Sequence, residues 1–327
     1  MKTIMSLAGR WQKTMFKLDN VSKVFKVGTF GGKELVAVDR VSFDVAEGEI
    51  IALIGESGSG KTTIGKMILR LLDISSGSIL YNGKDISRYK NEKLKDYYRN
   101  VQGVFQDPFS SINPIFKADR IFETVREEFF KGISKEEWNK KVNQTLLRVG
   151  LNPEHILNKY PHQLSGGQLQ RFLIARALLL DIDFLVADEV ISMLDASTRI
   201  DVLNLLGELR ESGLSILFIT HDLSLGYYIS DRSVILYRGR IAEMGDTQKI
   251  FNNALHPYTK MLLASVPQID KEWDREALLV EDGGQGIEGG CVYYDRCMNP
   301  GKDQKCTHQP PELVEVEPGH FVSCWHI

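Results

Sequence analysis

Gly55-Glu56-Ser57-Gly58-Ser59-Gly60-Lys61-Thr62 follows the short apolar run Ile50-Ile51-Ala52-Leu53-Ile54. Beyond it, Ile64, Met67, Ile68, Leu71 and Leu72 recur at helical spacing. The run before the loop does not alternate, as suits a strand buried on both faces. The residues after it have the i, i+3, i+4 pattern of an amphipathic helix. The octapeptide fits G-x-x-x-x-G-K-[ST], in which glycines let main-chain N–H groups turn inward around phosphate oxygens. Lys61 would bring a point charge to the β- and γ-phosphates, and the Thr62 hydroxyl can ligate Mg²⁺. The helix start adds its positive end. A glycine-rich turn without a ligand is the plainer alternative, and the strand before and helix after argue against it.

A second group lies further along. Phe184-Leu185-Val186-Ala187 leads into Asp188 and Glu189. Asp188 falls where a strand would end and can reach the Mg²⁺ hydration shell. Glu189, one residue on, can orient or deprotonate an attacking water. Alone, the pair reads equally well as a solvated strand end. Leu164-Ser165-Gly166-Gly167-Gln168 precedes it, with Ser165 lying 23 positions before Asp188. Ser165 and Gln168 fit a capping box at a helix start. Such a start, with two glycines, also presents N–H groups and a positive dipole end to an anion, so both readings hold together.

Around these motifs the chain reads as α/β. The segments 16–25 and 36–45 are β-like and flank a glycine-rich turn at 27–34, which suggests antiparallel strands in one layer. Residues 86–160 are mostly helical and charged. Then come a helix from Ser165, a buried strand at 184–188, a helix near 197–211 and a strand at 214–220. The segment 233–245 resembles a hairpin turning at Arg238-Gly239. The stretch 281–290 is glycine-rich and reads as a linker. There are no internal repeats.

The 327 residues suit one large domain or two smaller ones, and 43% hydrophobic with 25% charged residues is ordinary for a globular protein. Forty Lys and Arg against 43 Asp and Glu give a net charge of −3, which argues against nucleic-acid binding by bulk charge. No apolar run approaches the roughly 18–20 residues that cross a bilayer, and no secretory signal is evident. The expectation is a cytoplasmic chain that reaches a membrane only through partners.

The pentapeptide at 164–168 resembles the signature of the ABC-transporter ATPases. Further stretches strengthen the resemblance. Gln106 in VFQDP matches the family's glutamine loop, Ser192-Met193-Leu194-Asp195 its D-loop, and His221 in FITHD its switch histidine. Phe25 stands where the family stacks an aromatic on adenine. Val190 departs from the proline usual after the catalytic glutamate. The resemblance implies a P-loop ABC ATPase domain over 16–265, with a RecA-like core, an antiparallel β subdomain and a helical subdomain at about 107–180. It implies catalysis by Glu189, His221 and Lys61. ATP would be bound by Phe25, Gly55, Glu56, Ser57, Gly58, Ser59, Gly60, Lys61, Thr62, Thr63, Gln106, Ser165, Gly166, Gly167, Gln168 and Asp195. Mg²⁺ would sit on Thr62, Gln106 and Asp188. Two such domains would pair head to tail, each P-loop facing the other's signature.

Two stretches narrow the resemblance to oligopeptide and dipeptide importers: FQDPFSSINP at 105–114 and HPYTKMLLASVP at 256–267. A third is the tail, residues 266–327, a small cysteine-bearing extension. All four cysteines lie there, at Cys291, Cys297, Cys306 and Cys324, spaced C-x5-C-x8-C-x17-C. Clustered cysteines in a cytoplasmic protein suggest a metal or cluster more than disulfides. Chemistry alone leaves Zn²⁺ and an iron–sulfur cluster equally open. The resemblance favours [4Fe–4S], although the middle spacer is longer than the family's.

The implied function is an ATP-hydrolysing subunit that powers import of oligopeptides or dipeptides at the cytoplasmic face of the cell membrane. The implied partners are a second ATPase subunit, identical or not, two transmembrane permease subunits and an extracytoplasmic solute-binding protein, with no nucleic acid. The same machine importing oligosaccharides is one alternative. A soluble ABC ATPase acting on DNA or ribosomes is another, disfavoured because there is a single cassette and no sustained heptads between Lys61 and Ser165.

Overall fold

The computed structural model describes residues 4–5, 11–28, 32–265 and 289–327. Most of the expected linker at 281–290, and the centre of the turn at 29–31, lie outside them. In chain order the strands are β1 (Ile4–Met5), β2 (Trp11–Gln12), β3 (Thr14–Val27), β4 (Lys33–Ala46), β5 (Ile50–Ile54), β6 (Ser76–Tyr81), β7 (Lys84–Asp85), β8 (Val101–Val104), β9 (Phe184–Asp188), β10 (Ser215–Thr220), β11 (Arg232–Tyr237), β12 (Arg240–Asp246), β13 (Val314–Glu317) and β14 (His320–Val322). The helices are α1 (Lys61–Ile68), α2 (Asn91–Asn100), α3 (Arg120–Phe129), α4 (Lys135–Arg148), α5 (Pro153–Ile156), α6 (Gly166–Leu178), α7 (Ala196–Glu211), α8 (Leu223–Ile229), α9 (Thr247–Asn252) and α10 (Pro257–Ala264). The chain divides into one unit of residues 1–45, 50–87 and 218–327 and a second of 46–49 and 88–217. The division falls within β10.

In the first unit, β4, β3, β6 and β7 form a four-stranded sheet in that order. β3 pairs antiparallel with β6, Leu18 opposite Ile79, and both side chains are buried. This is the antiparallel layer expected from the β-like segments at 16–25 and 36–45. Every residue of β5 is buried, as its unbroken apolar run requires. β5 pairs parallel with β11, and β11 turns into antiparallel β12. The turn is at Arg238 and Gly239, both at positive φ (44° and 81°), which is the geometry a two-residue hairpin demands.

The tail joins this unit. β14 pairs antiparallel with β12, Glu243 opposite Val322, and β13 with β14. Beneath them a buried carboxylate acts as a staple. Glu243 accepts the Leu255 and His256 main-chain N–H groups at 2.9 and 3.0 Å, and its Oε1 lies 2.7 Å from His320 Nε2. Both side chains of that pair are excluded from solvent, so each meets the other's need for a polar partner. Tyr293, Val292, Cys291 and Cys297 pack with Ile54, Tyr237, Tyr258 and Leu262 in one apolar cluster.

The second unit carries β9 and β8, which are parallel neighbours, and the first residues of β10. Helices α3, α4 and α6 pack there. Phe122 of α3 stacks on Phe172 of α6 at 4.3 Å, and Trp138 of α4 is wholly buried beside Phe130 at 5.4 Å. Arg176 of α6 reaches β8, donating to Gln102 Oε1 at 2.8 Å and to the Gly103 carbonyl at 2.9 Å. Desolvation lowers that guanidinium to about 10, still charged at neutral pH.

Candidate functional site

The loop between β5 and α1 is built on glycines that nothing else could replace. A Cβ on Gly55 would lie 2.1 Å from the Leu236 carbonyl oxygen, and one on Gly60 would lie 2.5 Å from that of Ala37. Gly60 is also at φ 105° and Gly58 at φ 78°, where L side chains are strained. The hairpin braces the loop from β11–β12: Gly239 N–H donates to the Ser59 carbonyl at 2.8 Å, and Asp39 N–H to the Gly239 carbonyl at 2.9 Å. Lys61 is buried. Its ammonium donates to the carbonyls of Gly55 and Glu56 at 2.7 and 2.8 Å. Ser59 is buried beside it, while Ser57, Gly58 and Thr62 face solvent and Thr63 is half-buried. Gly60 caps α1 in a left-handed conformation and offers no side chain to the first turn. A main-chain cradle of this kind, with a buried cation at its base, fits an anionic phosphate chain.

Two further predicted residues belong to this unit. His221 follows β10 and is exposed. Asp222 next to it caps α8, accepting from Ser224 N–H at 2.8 Å. α8 lies close against β5, since a Cβ on Gly226 would be 2.5 Å from Ile54 Cδ1. Phe25, on β3, is half-buried with the Lys23 ammonium 5.1 Å from its ring centre.

The second unit holds the remaining motifs. Ser165 caps α6 as expected: its hydroxyl accepts from Gln168 N–H at 3.2 Å, and Ser165 N–H donates to Gln168 Oε1 at 2.9 Å. The D-loop packs beside it. A Cβ on Gly167 would stand 2.2 Å from Thr198 Cγ2, and one on Gly166 would touch Leu194 at 3.6 Å. Asp195 caps α7, accepting from the Ser197 hydroxyl and from the Thr198 hydroxyl and N–H at 2.6, 2.7 and 3.0 Å. Those donors hold its carboxyl well below the usual range. The Gly167–Thr198 packing needs long-range geometry that the motif does not spell out. Asp188 ends β9 nearly buried. Glu189 follows at φ 49°, a left-handed backbone that is uncommon for a side chain of its kind. Its carbonyl is fixed by Ser192, whose N–H and hydroxyl donate at 3.1 and 2.9 Å. Val190, where proline was expected, is buried. Gln106 is exposed beyond β8.

At the tail the iron–sulfur expectation is corrected. All four cysteines are free thiols that line one cavity together with His256 and His326. Among the described residues, however, the one set of potential ligand atoms converging within 4.8 Å is Asp303, Cys306 and His326, which contains a single thiol. That is no cluster-like cysteine group. Neither [4Fe–4S] nor Zn²⁺ is supported. The trio has an ordinary explanation: the Asp303 carboxylate lies 3.3 Å from His326 Nε2 and accepts the Lys305 and Cys306 N–H groups. Burial pushes Cys291 up to about 11 and also raises Cys324, favouring the neutral thiol. The tail brings a different side chain, Arg296, to the phosphate loop, which sequence reasoning missed. It forms a two-pronged ion pair with Glu56 of the phosphate loop at 2.8 and 3.0 Å.

Known proteins resemble the chain over nearly its whole length. A family model described as ABC transporter matches residues 38–192, and one described as the oligopeptide/dipeptide transporter C-terminal region matches 242–306. The oligopeptide transport ATP-binding protein AppF of Bacillus subtilis is 41% identical over 96% of this chain and 97% of its own length. The protein OppF of Streptococcus pyogenes, described in the same words, is 42% identical over 89% and 90%. Among solved structures, a dimeric ATP-binding cassette in a post-hydrolysis state with ADP and phosphate superposes with a TM-score of 0.64 at 29% identity, covering 71% of this chain and 99% of that one. A Clostridium perfringens structure described as part of an ABC transporter complex gives 0.64 at 25% identity over 74% and 92%.

Proposed function

Because the chain belongs to the ABC transporter family, in the branch of oligopeptide transport ATP-binding proteins, we propose that it hydrolyses ATP to drive peptide import, with the residue roles set out here. It is the ATPase subunit of that machine, and transport is coupled to hydrolysis. The observation that carries the reading is the cradle between β5 and α1, with Lys61 at its base and glycines where no Cβ fits. Gly55, Glu56, Ser57, Gly58, Ser59, Gly60, Lys61, Thr62 and Thr63 bind the phosphates, and Phe25 takes the adenine. Thr62, Gln106 and Asp188 would hold Mg²⁺, which supplies charge neutralisation on the phosphate oxygens. Glu189 orients or deprotonates the attacking water, and His221 senses the γ-phosphate. Catalysis is then positioning and electrostatics more than covalent chemistry.

Ser165, Gly166, Gly167, Gln168 and Asp195 serve a phosphate loop in a second ATPase subunit. Two permease subunits and a solute-binding protein complete the importer, with this chain at the cytoplasmic face. No helix among the described residues is long and apolar enough to cross a membrane, in keeping with a subunit that leaves the passage to others. Replacing Glu189 by glutamine should leave ATP binding intact while slowing hydrolysis by about 10²–10⁴-fold, the span of a lost general base. The assay is phosphate release beside equilibrium ATP binding, and near-normal turnover would refute the assignment.

A further inference from the structure

A carboxylate inside a loop that must receive a nucleotide's phosphates is an electrostatic contradiction. Glu56 is that carboxylate. Its side chain is only partly covered, so water alone would screen it incompletely, and its charge has the same sign as the incoming ligand. The structure resolves the contradiction from 240 residues away along the chain. Arg296 donates through both terminal nitrogens to the two oxygens of Glu56, at 2.8 and 3.0 Å. Two parallel bonds of this kind fix direction as well as charge. The Arg296 side chain is 10% exposed, and its guanidinium carbon lies 5.9 Å from the Tyr237 ring centre and 6.0 Å from that of Tyr293. Those rings flank the guanidinium at cation–π distance.

Glu56 is gripped at its main chain too. Its N–H donates to the Tyr258 hydroxyl at 3.0 Å, and Tyr258 packs against Tyr237 and Tyr293 at 4.6 and 5.5 Å. Its carbonyl accepts from the Lys61 ammonium at 2.8 Å. One continuous set of contacts therefore runs from Arg296 through Glu56 to Lys61, all within the first unit. We propose that Arg296 is a positioning residue for nucleotide binding: it neutralises Glu56 and sets the opening turn of the phosphate loop, making the tail a strut of the ATP site. The inference rests on the assignment of Gly55–Thr62 as that site.

The test is a double-mutant cycle on the full chain, read by equilibrium binding of ATP, ADP and adenosine. R296A should weaken ATP by about tenfold, since it leaves a carboxylate unpaired in the loop. The loss should shrink from ATP to ADP and vanish for adenosine, which carries no phosphate. E56Q removes the like charge, and its own ATP affinity is the reference for the second arm of the cycle. In the E56Q background R296A should change ATP affinity by less than about threefold, because no charge remains to be neutralised. R296K, which keeps the charge but not the two-pronged grip, should fall between. An equal loss from R296A with and without E56Q, or an equal loss for adenosine, would overturn the proposal and leave only a packing role. If R296A fails to fold, as judged by its thermal melt, R296K and E56Q still decide the matter through the ATP-to-adenosine contrast. K61A separates the two levels. If K61A binds ATP like the parent, the phosphate-site assignment itself fails; if K61A loses ATP while R296A is silent, only the role of Arg296 fails.

Discussion

Two glycine-bearing helix starts, at α1 and α6, look alike on paper and are built on opposite plans. At α1 the cap is Gly60, left-handed and without a side chain, so the helix start is left to whatever the loop encloses. At α6 the cap is Ser165, whose hydroxyl and Gln168 partner bond to each other's main chain. The first start is shaped by main chain pressing on main chain; the second is shaped by a side chain, Thr198, pressing on Gly167. One is a cradle that needs a ligand to complete it. The other satisfies itself and offers a rigid surface. The contrast fits a division of labour in which α1 holds phosphate in its own site and α6 is presented to another.

The sharpest way to break the contrast is to give each start a methyl group. Gly60→Ala places a Cβ 2.5 Å from a carbonyl oxygen at φ 105°, and neither neighbour nor backbone can yield cheaply. A displacement of about 1 Å at a phosphate-transfer site can cost about a hundredfold in rate, and a loss of that order is expected in ATP hydrolysis. No second substitution should restore it, because the obstacle is main chain. Unaltered turnover in Gly60→Ala would show that the cradle does not require its glycine.

Gly167→Ala should behave differently. Its Cβ meets Thr198 Cγ2 at 2.2 Å, a side-chain clash that overpacks the α6–α7 contact at a cost of about 1–3 kcal/mol in stability. Thr198→Ser removes that methyl and keeps the hydroxyl that donates to Asp195 at 2.7 Å, so the double variant should regain most of the loss in a denaturant titration. If Thr198→Ser rescues nothing, Gly167 is required for a reason other than packing.

The same contrast marks what the sequence could say. Where a pattern is local, it was legible: the apolar run of β5, the loop that follows it, the Ser165–Gln168 cap and the Arg238-Gly239 turn all form as read. Where a residue's reason lies far along the chain, it was not. Gly167 answers to Thr198, Gly55 to Leu236 and Glu56 to Arg296, and no periodicity or motif announces such pairs. The tail taught the hardest lesson. Its cysteines drew attention by their clustering and suggested a cluster that the geometry does not support. Its less conspicuous residues do the joining: Phe321 and Val322 pair with β12, and His320 meets Glu243. The segments VEVE and HFV are too short to declare themselves as strands; HFV finds its partner in β12, and VEVE finds its partner in HFV.

The smallest expected effect isolates the cap alone. Ser165→Ala deletes one acceptor of a main-chain N–H and leaves both glycines, the Thr198 contact and the helix dipole in place. Loss of a serine cap typically costs about 1 kcal/mol, so a modest drop in the denaturation midpoint is expected, with Ser165→Asn much closer to the parent. At α1 there is no such bond to delete, since Gly60 has no side chain to give. If α6 is self-satisfied as described, the cost appears in the isolated chain with no nucleotide and no partner present. If instead Ser165→Ala leaves stability untouched in isolation and matters only once a second ATPase subunit and ATP are added, the Ser165 hydroxyl is held for the ligand, and the two helix starts are more alike than their geometry implies.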